Sequence, residues 1–189
     1  MHGLRMSLLE MQAERMKLPL IKVMLPASPD DTIYRQAMME TLTTLKNSGV
    51  NTAAYGDIFL EDLRTYREDQ LKQVNMQAVF PLWKKNTTEL VTDISAVGID
   101  AIVVCVNAKV LGKEFLGKKI DADFLNSLPE DVDPCGENGE FHTFVRNAPF
   151  FSEAIPVTLG EIVHRSYMPP GSTDTGWDTG FYFMDVLPG

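Results

Sequence analysis

The run Ala101-Ile102-Val103-Val104-Cys105-Val106, opening at Ile99, constrains the fold more than any other part of the chain. A continuous apolar stretch this short, entered through Gly98, reads as a strand covered on both faces, as strands of parallel sheets are. Helical and strand-like patterns alternate before it. Leu4, Leu8, Met11 and Met16 recur at helical spacing with Glu10, Glu14 and Arg15 between them, and Pro19 ends that helix. Leu20 to Leu25 reads as a short strand closed by Pro26. Asp30-Asp31-Thr32 supplies an N-cap for a helix from Ile33 to Lys46, with Gly49 near its end. Thr52 to Tyr55 is a second strand, Leu60 to Val74 a charged helix, and Met76 to Phe80 a third strand. Thr87 or Thr88 caps a helix to Val97, which Gly98 closes. This alternation predicts an α/β fold, a parallel sheet flanked by helices with right-handed crossovers.

The character changes after Asp121. A short helix over Asp123 to Ser127 leads into the polar stretch Asp133 to Glu140. Two β-like runs, Val157 to Tyr167 and Phe181 to Leu187, follow and predict a small C-terminal hairpin joined by a turn-rich loop. The expected division is therefore 1–120 for the α/β part and 121–189 for a loop-and-hairpin region packed on the same domain. A length of 189 residues suits one domain with such an appendage.

Composition narrows the function. Seventeen Lys and Arg against twenty-six Asp and Glu give a net charge of −9, which leaves no broad basic footprint, so no nucleic acid is expected as partner. The longest apolar runs fall far short of a membrane span, and the charged N-terminus lacks a signal-peptide core. No membrane is expected, and the expected location is cytoplasmic. Cys105 and Cys135 are too few for a disulfide framework and form no zinc-type pair.

The densest polar constellation is Asp133-Pro-Cys135-Gly-Glu137-Asn138-Gly139-Glu140-Phe-His142-Thr143. Its glycines let the backbone turn sharply and bring N–H groups to a ligand. Glu137, Glu140 and His142 offer acid–base groups, and Thr143 an alcohol. A solvated surface turn, a metal site on Asp133, Glu137, Glu140 and His142, and a Cys135/His142 nucleophile pair are the competing readings. A second constellation, Gly56-Asp57-Ile58-Phe59-Leu60-Glu61-Asp62-Leu63-Arg64, stands just past a strand, where open α/β sheets bind ligands. Asp57 there could hold a hydroxyl or a metal, and Glu61 could simply pair with Arg64. Phe80-Pro81-Leu82-Trp83 offers an apolar wall for a flat ring, or plain core. His164 reads as structural, and Asp174-Thr175-Gly176 matches the aspartic-protease triplet in letters only.

Taken in order, Met1-His2-Gly3-Leu4-Arg5, the Gly56 to Arg64 block, Phe80 to Trp83 and above all Asp133 to Thr143 resemble the diphthine–ammonia ligase family. That family is a branch of the PP-loop, or N-type ATP pyrophosphatase, superfamily, and the resemblance covers about residues 1–151. It implies an adenine nucleotide alpha hydrolase-like fold, with 1–120 as its nucleotide-binding part. It implies ATP and Mg2+ as cofactors and a reaction in which ATP adenylates a carboxylate, ammonia attacks the acyl adenylate, and AMP and pyrophosphate leave. In archaeal and eukaryotic relatives the carboxylate belongs to diphthine, a modified histidine of elongation factor 2. By position, the resemblance places Gly56, Asp57, His2 and Gly3 at the nucleotide. It makes Glu137, Glu140 and His142 catalytic, and sets Cys135, Asn138, Gly139 and Thr143 at the acyl substrate. The family's Ser-Gly-Gly-Lys-Asp-Ser phosphate loop would precede Met1, and no Gly-Gly-Lys run occurs in the 189 residues. The expectation is a shortened domain whose exposed sheet edge a second copy covers, forming a homo-oligomer. The alternatives are a non-catalytic binding protein that keeps the substrate loop without the nucleotide site, and an unrelated hydrolase built on Glu137, Glu140 or His142.

Overall fold

The computed structural model describes residues 3–26, 30–167 and 179–189. In chain order the elements are α1 (Met6–Met16), α2 (Asp31–Asn47), β1 (Thr52–Ala54), α3 (Glu61–Gln73), β2 (Gln77–Val79), α4 (Thr87–Ala96) and β3 (Asp100–Asn107). After these come a 3-10 turn (Lys113–Phe115), α5 (Ala122–Ser127), β4 (Phe141–Asn147), β5 (Val157–Tyr167) and β6 (Thr179–Pro188). They divide into two compact units, one made of 1–20 with 86–189 and the other of 21–85. The boundary expected between 120 and 121 falls inside the first unit.

The 21–85 unit is a small β-α-β arrangement. β1 and β2 run parallel, with Ala53 opposite Ala78, and α3 is the crossover between them. Leu42 of α2, Leu71 of α3 and Met76 form its core. The Asp30 carboxylate accepts from the Ile33 N–H at 2.8 Å, so α2 starts on the N-cap its sequence advertises. Leu20 to Leu25, expected as a strand, carries none, and Ile21 and Met24 are exposed.

The unit of 1–20 with 86–189 holds an antiparallel sheet in the order β4-β3-β6-β5. All six residues of β3 from Ala101 to Val106 are buried, as the apolar run predicts. Their neighbours correct the predicted pairing: β4 and β6 both lie antiparallel to β3, and among the described residues parallel pairing is confined to β1 and β2. The C-terminal half of β3 pairs with β6. Beside its N-terminal half, segment 117–120 returns along the strand, with Ile120 N–H donating to Ala101 O at 2.9 Å and Gly117 N–H to Val103 O at 2.8 Å. Gly117 turns that segment at φ +79°, a conformation side chains resist. Leu8 of α1 and Val91 of α4 pack into the same core, where Phe124 meets Phe115 and Phe141 edge-on. The α/β class therefore holds, with a small parallel and a separate antiparallel sheet. β5 and β6 pair as the expected hairpin, from Val157 opposite Pro188 to Tyr167 opposite Thr179. α4 is capped by Asn86, whose side chain accepts from Glu89 N–H at 3.0 Å, rather than by Thr87 or Thr88. Gly98 closes it at φ +80°.

Candidate functional site

The polar stretch after Asp133 folds into a closed hydrogen-bonded loop around one buried carboxylate. Asp133 organises it. Its Oδ2 accepts from the backbone N–H groups of Cys135 and Glu137, both at 3.0 Å, which is how a short acidic side chain stabilises a turn. Its own N–H donates to Glu140 Oε1 at 3.0 Å, and Asn138 Nδ2 donates to the same oxygen at 3.0 Å. The turns between them are made by Gly136 at φ +69° and Gly139 at φ +82°. A side chain at Gly136 would also meet the Phe141 carbonyl at 2.8 Å.

Glu140 is 6% exposed, and its Oε2 is buried with no hydrogen-bond partner. An orphaned buried acceptor costs about 1–3 kcal/mol, which marks Oε2 as the atom of this loop able to take an N–H or O–H donor. Neutral donors hold the other oxygen, and among the described residues no ion pair compensates the carboxylate.

The loop hands the chain to β4, an element the sequence reading did not resolve, so His142 and Thr143 are strand residues. Thr143 lies opposite Val103 and His142 opposite Cys105, with a bulge on β3 between them. Thr143, Pro134, Cys135 and Phe141 line a largely apolar pocket of about 220 Å³ together with Val91 and Ile94 of α4. His142 does not line it. Burial, with the nearby Asp133 and Glu137 charges, pushes the Cys135 thiol up to about 12, and its Sγ donates to the Thr87 carbonyl at 3.4 Å. A thiol so protonated is no nucleophile at neutral pH, which disposes of the Cys135/His142 pair. Glu137 and Asn138 complete the loop, Glu137 half-buried and Asn138 exposed.

Gly56 and Asp57 sit past the end of β1 in the 21–85 unit. Gly56 is exposed with open space around it, while Asp57 is 7% exposed and accepts from Arg67 Nε at 2.8 Å. The Arg67 guanidinium lies 4.6 Å over the Tyr55 ring, and Tyr55 stacks on Phe80 at 5.6 Å. Arg64 lies 4.9 Å over Phe80 and 4.6 Å over Trp83. The aromatic wall is therefore covered, at least in part, by the chain's own guanidinium groups. Arg64 pairs with Glu68 at 2.9 Å, not with Glu61, which faces Lys84 at 3.6 Å. Arg67 and the stacking role of Tyr55 escaped the sequence reading, and Arg64 was expected only as a partner of Glu61. The signal was available, since Arg64 and Arg67 stand one helical turn apart between Tyr55 and the pair Phe80 and Trp83.

Gly3 belongs to the other unit. At φ +68° it approaches the Phe183 ring so closely that a Cβ would lie 2.5 Å from it. The adjoining Arg5 forks onto Asp185 with bonds of 3.1 and 2.7 Å, which raises the Arg5 pKa and lowers that of Asp185. His2 and the Asp174-Thr175-Gly176 triplet lie outside the described residues. Among the described residues no three His, Cys, Asp or Glu side chains gather as a metal site would require. Asp57, the acid nearest the expected nucleotide, is already held by Arg67. No helix among the described residues is long and apolar enough to cross a membrane.

Comparison with known proteins agrees with the site that is best formed. Residues 86–184, all within the unit that carries the Glu140 loop, match the family model for the diphthamide synthase C-terminal domain. The diphthine–ammonia ligase of Bos taurus is 30% identical over 173 residues, covering 84% of this chain and 65% of that protein. The Homo sapiens protein of the same name is 29% identical over the same span. That of Schizosaccharomyces pombe is 34% identical over 107 residues, only 18% of its length. The matched stretch thus spans just under two thirds of the mammalian relatives. A closed Asp133 to Thr143 loop and a family match over half of the sequence lead to one assignment: this chain belongs to the diphthamide synthase family.

Proposed function

We propose that the chain serves an amide ligase of the diphthine–ammonia ligase type, in which ammonia replaces the hydroxyl of an activated carboxylate, with ATP supplying the activation. The observation that carries this reading is Glu140, buried in a loop of neutral donors with Oε2 unpartnered. In amide formation the C–N bond forms as the acyl leaving group departs, and the attacking nitrogen must lose a proton. A carboxylate with one oxygen fixed and the other lacking a donor is suited to accept it. Relatives named diphthine–ammonia ligase support diphthine on elongation factor 2 as the acid. The test is mass spectrometry of diphthine-bearing elongation factor 2 after incubation with the chain, ATP, Mg2+ and ammonium. Appearance of the amide, and its loss in Glu140→Gln, is the expected result. Full activity of Glu140→Gln would remove Glu140 from the chemistry.

That Asp57, the acid expected at the nucleotide, is already held by Arg67 favours a second reading, a non-catalytic protein that binds the same acyl substrate. Release of AMP and pyrophosphate by the chain alone would exclude it.

A further inference from the structure

β5 is an edge strand. Among the described residues its sheet partner is β6, and residues 158–166 are all exposed. Leu159, Ile162 and Val163 are 44%, 43% and 39% exposed. Such an edge offers a row of unpaired N–H and C=O groups and apolar side chains to any incoming strand, and this one has no proline to block it; its bulge against β6 falls between Leu159 and Ile162, and from Ile162 to Tyr167 the strand runs in regular register. What it has instead is a symmetric charge pattern. Glu161 and Arg165 flank Val163 at equal distance, and the three line one groove of about 240 Å³ with Phe183 and Asp185, so they share a face. Neither charge forms an ion pair among the described residues. The guanidinium of Arg165 rests 5.8 Å over the Phe183 ring.

We infer that β5 pairs antiparallel with β5 of a second copy of this chain, about a two-fold axis at Val163. In that register Val163 opposes the partner's Val163, Glu161 opposes the partner's Arg165, and Arg165 opposes the partner's Glu161. Opposite charges facing each other across antiparallel strands are favourable, and like charges are not. A strand whose two charges differ in sign and sit symmetrically about an apolar centre is complementary to itself, which is what an isologous interface requires. A slip of two residues along the strand sets charges against Val163 and loses both pairs. The two four-stranded sheets then become one continuous sheet in the order β4-β3-β6-β5-β5-β6-β3-β4, and the exposed edge is gone. This inference stands on β5 alone and is independent of the ligase reading.

Light scattering on the 189-residue chain tests it, between about 1 and 100 µM. The expected mass is twice 21.1 kDa. Glu161→Arg or Arg165→Glu alone sets like charges opposite and is expected to raise the dimer Kd at least about tenfold. The double exchange E161R/R165E restores the pairing and returns Kd to within about twofold of the parent. Because the double variant carries both substitutions, its dimerisation excludes misfolding as the cause of the single effects. A monomer throughout the range, single variants that dimerise like the parent, or a double variant no better than the singles would each overturn the register.

Discussion

Asp57 and Glu140 are the two buried acidic side chains among the described residues, and the chain treats them in opposite ways. Asp57 faces a cation. Arg67 is fixed on it and lies against Tyr55, so the carboxylate, guanidinium and ring form one unit with the charge neutralised. Glu140 is held by an amide N–H and a carboxamide on one oxygen, with nothing on the other. The first arrangement spends its polar atoms on holding the 21–85 unit together; the second leaves one unspent. Burial alone therefore does not set an acid's surroundings; the two differ in the state of the second carboxylate oxygen.

The largest expected effect is on the structural acid. Arg67→Met strands a buried carboxylate and uncovers Tyr55, and should cost about 3 kcal/mol in urea unfolding of the transition that reports the 21–85 unit. A loss below about 1 kcal/mol would mean that Asp57 resembles Glu140 after all. Next comes Glu140→Gln, expected to lower amide formation at least about a hundredfold while changing stability by less than about 1 kcal/mol. Equal losses in both would class Glu140 with Asp57. Gly136→Ala tests whether the loop is as rigid as its contacts imply. Strain at φ +69° and the Phe141 carbonyl at 2.8 Å should cost about 1–3 kcal/mol in thermal unfolding. The smallest effect at neutral pH concerns the thiols. Burial raises Cys105 to about 11 and, with Asp133 and Glu137, Cys135 to about 12, from 9.0 for a free thiol. The protonated thiols favour the folded state, so their contribution is complete below pH 9 and is lost as pH rises from there through about 11 and 12. Iodoacetamide at pH 8 should label the folded chain at least about a hundredfold more slowly than the urea-unfolded chain.

Local signals were legible where the partner is local. Asp30 three residues before Ile33, and Gly98 after α4, act on their own helix ends, and the structure uses both. The apolar run of β3 was legible as doubly covered, but its direction depends on β4 and β6, which lie far along the chain. Leu20 to Leu25 has strand composition and no strand, because apolar letters do not provide a partner. β4 was hidden by the bulge opposite it. Phe141 and Phe144 are both buried with two residues between them, which breaks the alternation by which a strand is recognised. The importance of the Asp133 to Thr143 block was visible as a cluster of acids and glycines. That Asp133 would be spent on Cys135 and Glu137, leaving Glu140 with an orphan oxygen, depended on loop geometry that spacing does not encode.

The divided partnership of β3 also sets an order of assembly. Its N-terminal half closes on 117–120, a short excursion along the chain, whereas its C-terminal half waits for β6, which is made near the end. Closing the near loop costs less entropy than closing the far one, so the first pairing can form while the second is still being sampled. Once both are in place β3 lies between neighbours along its whole length, and its amide hydrogens should be among the last in the chain to exchange with deuterium.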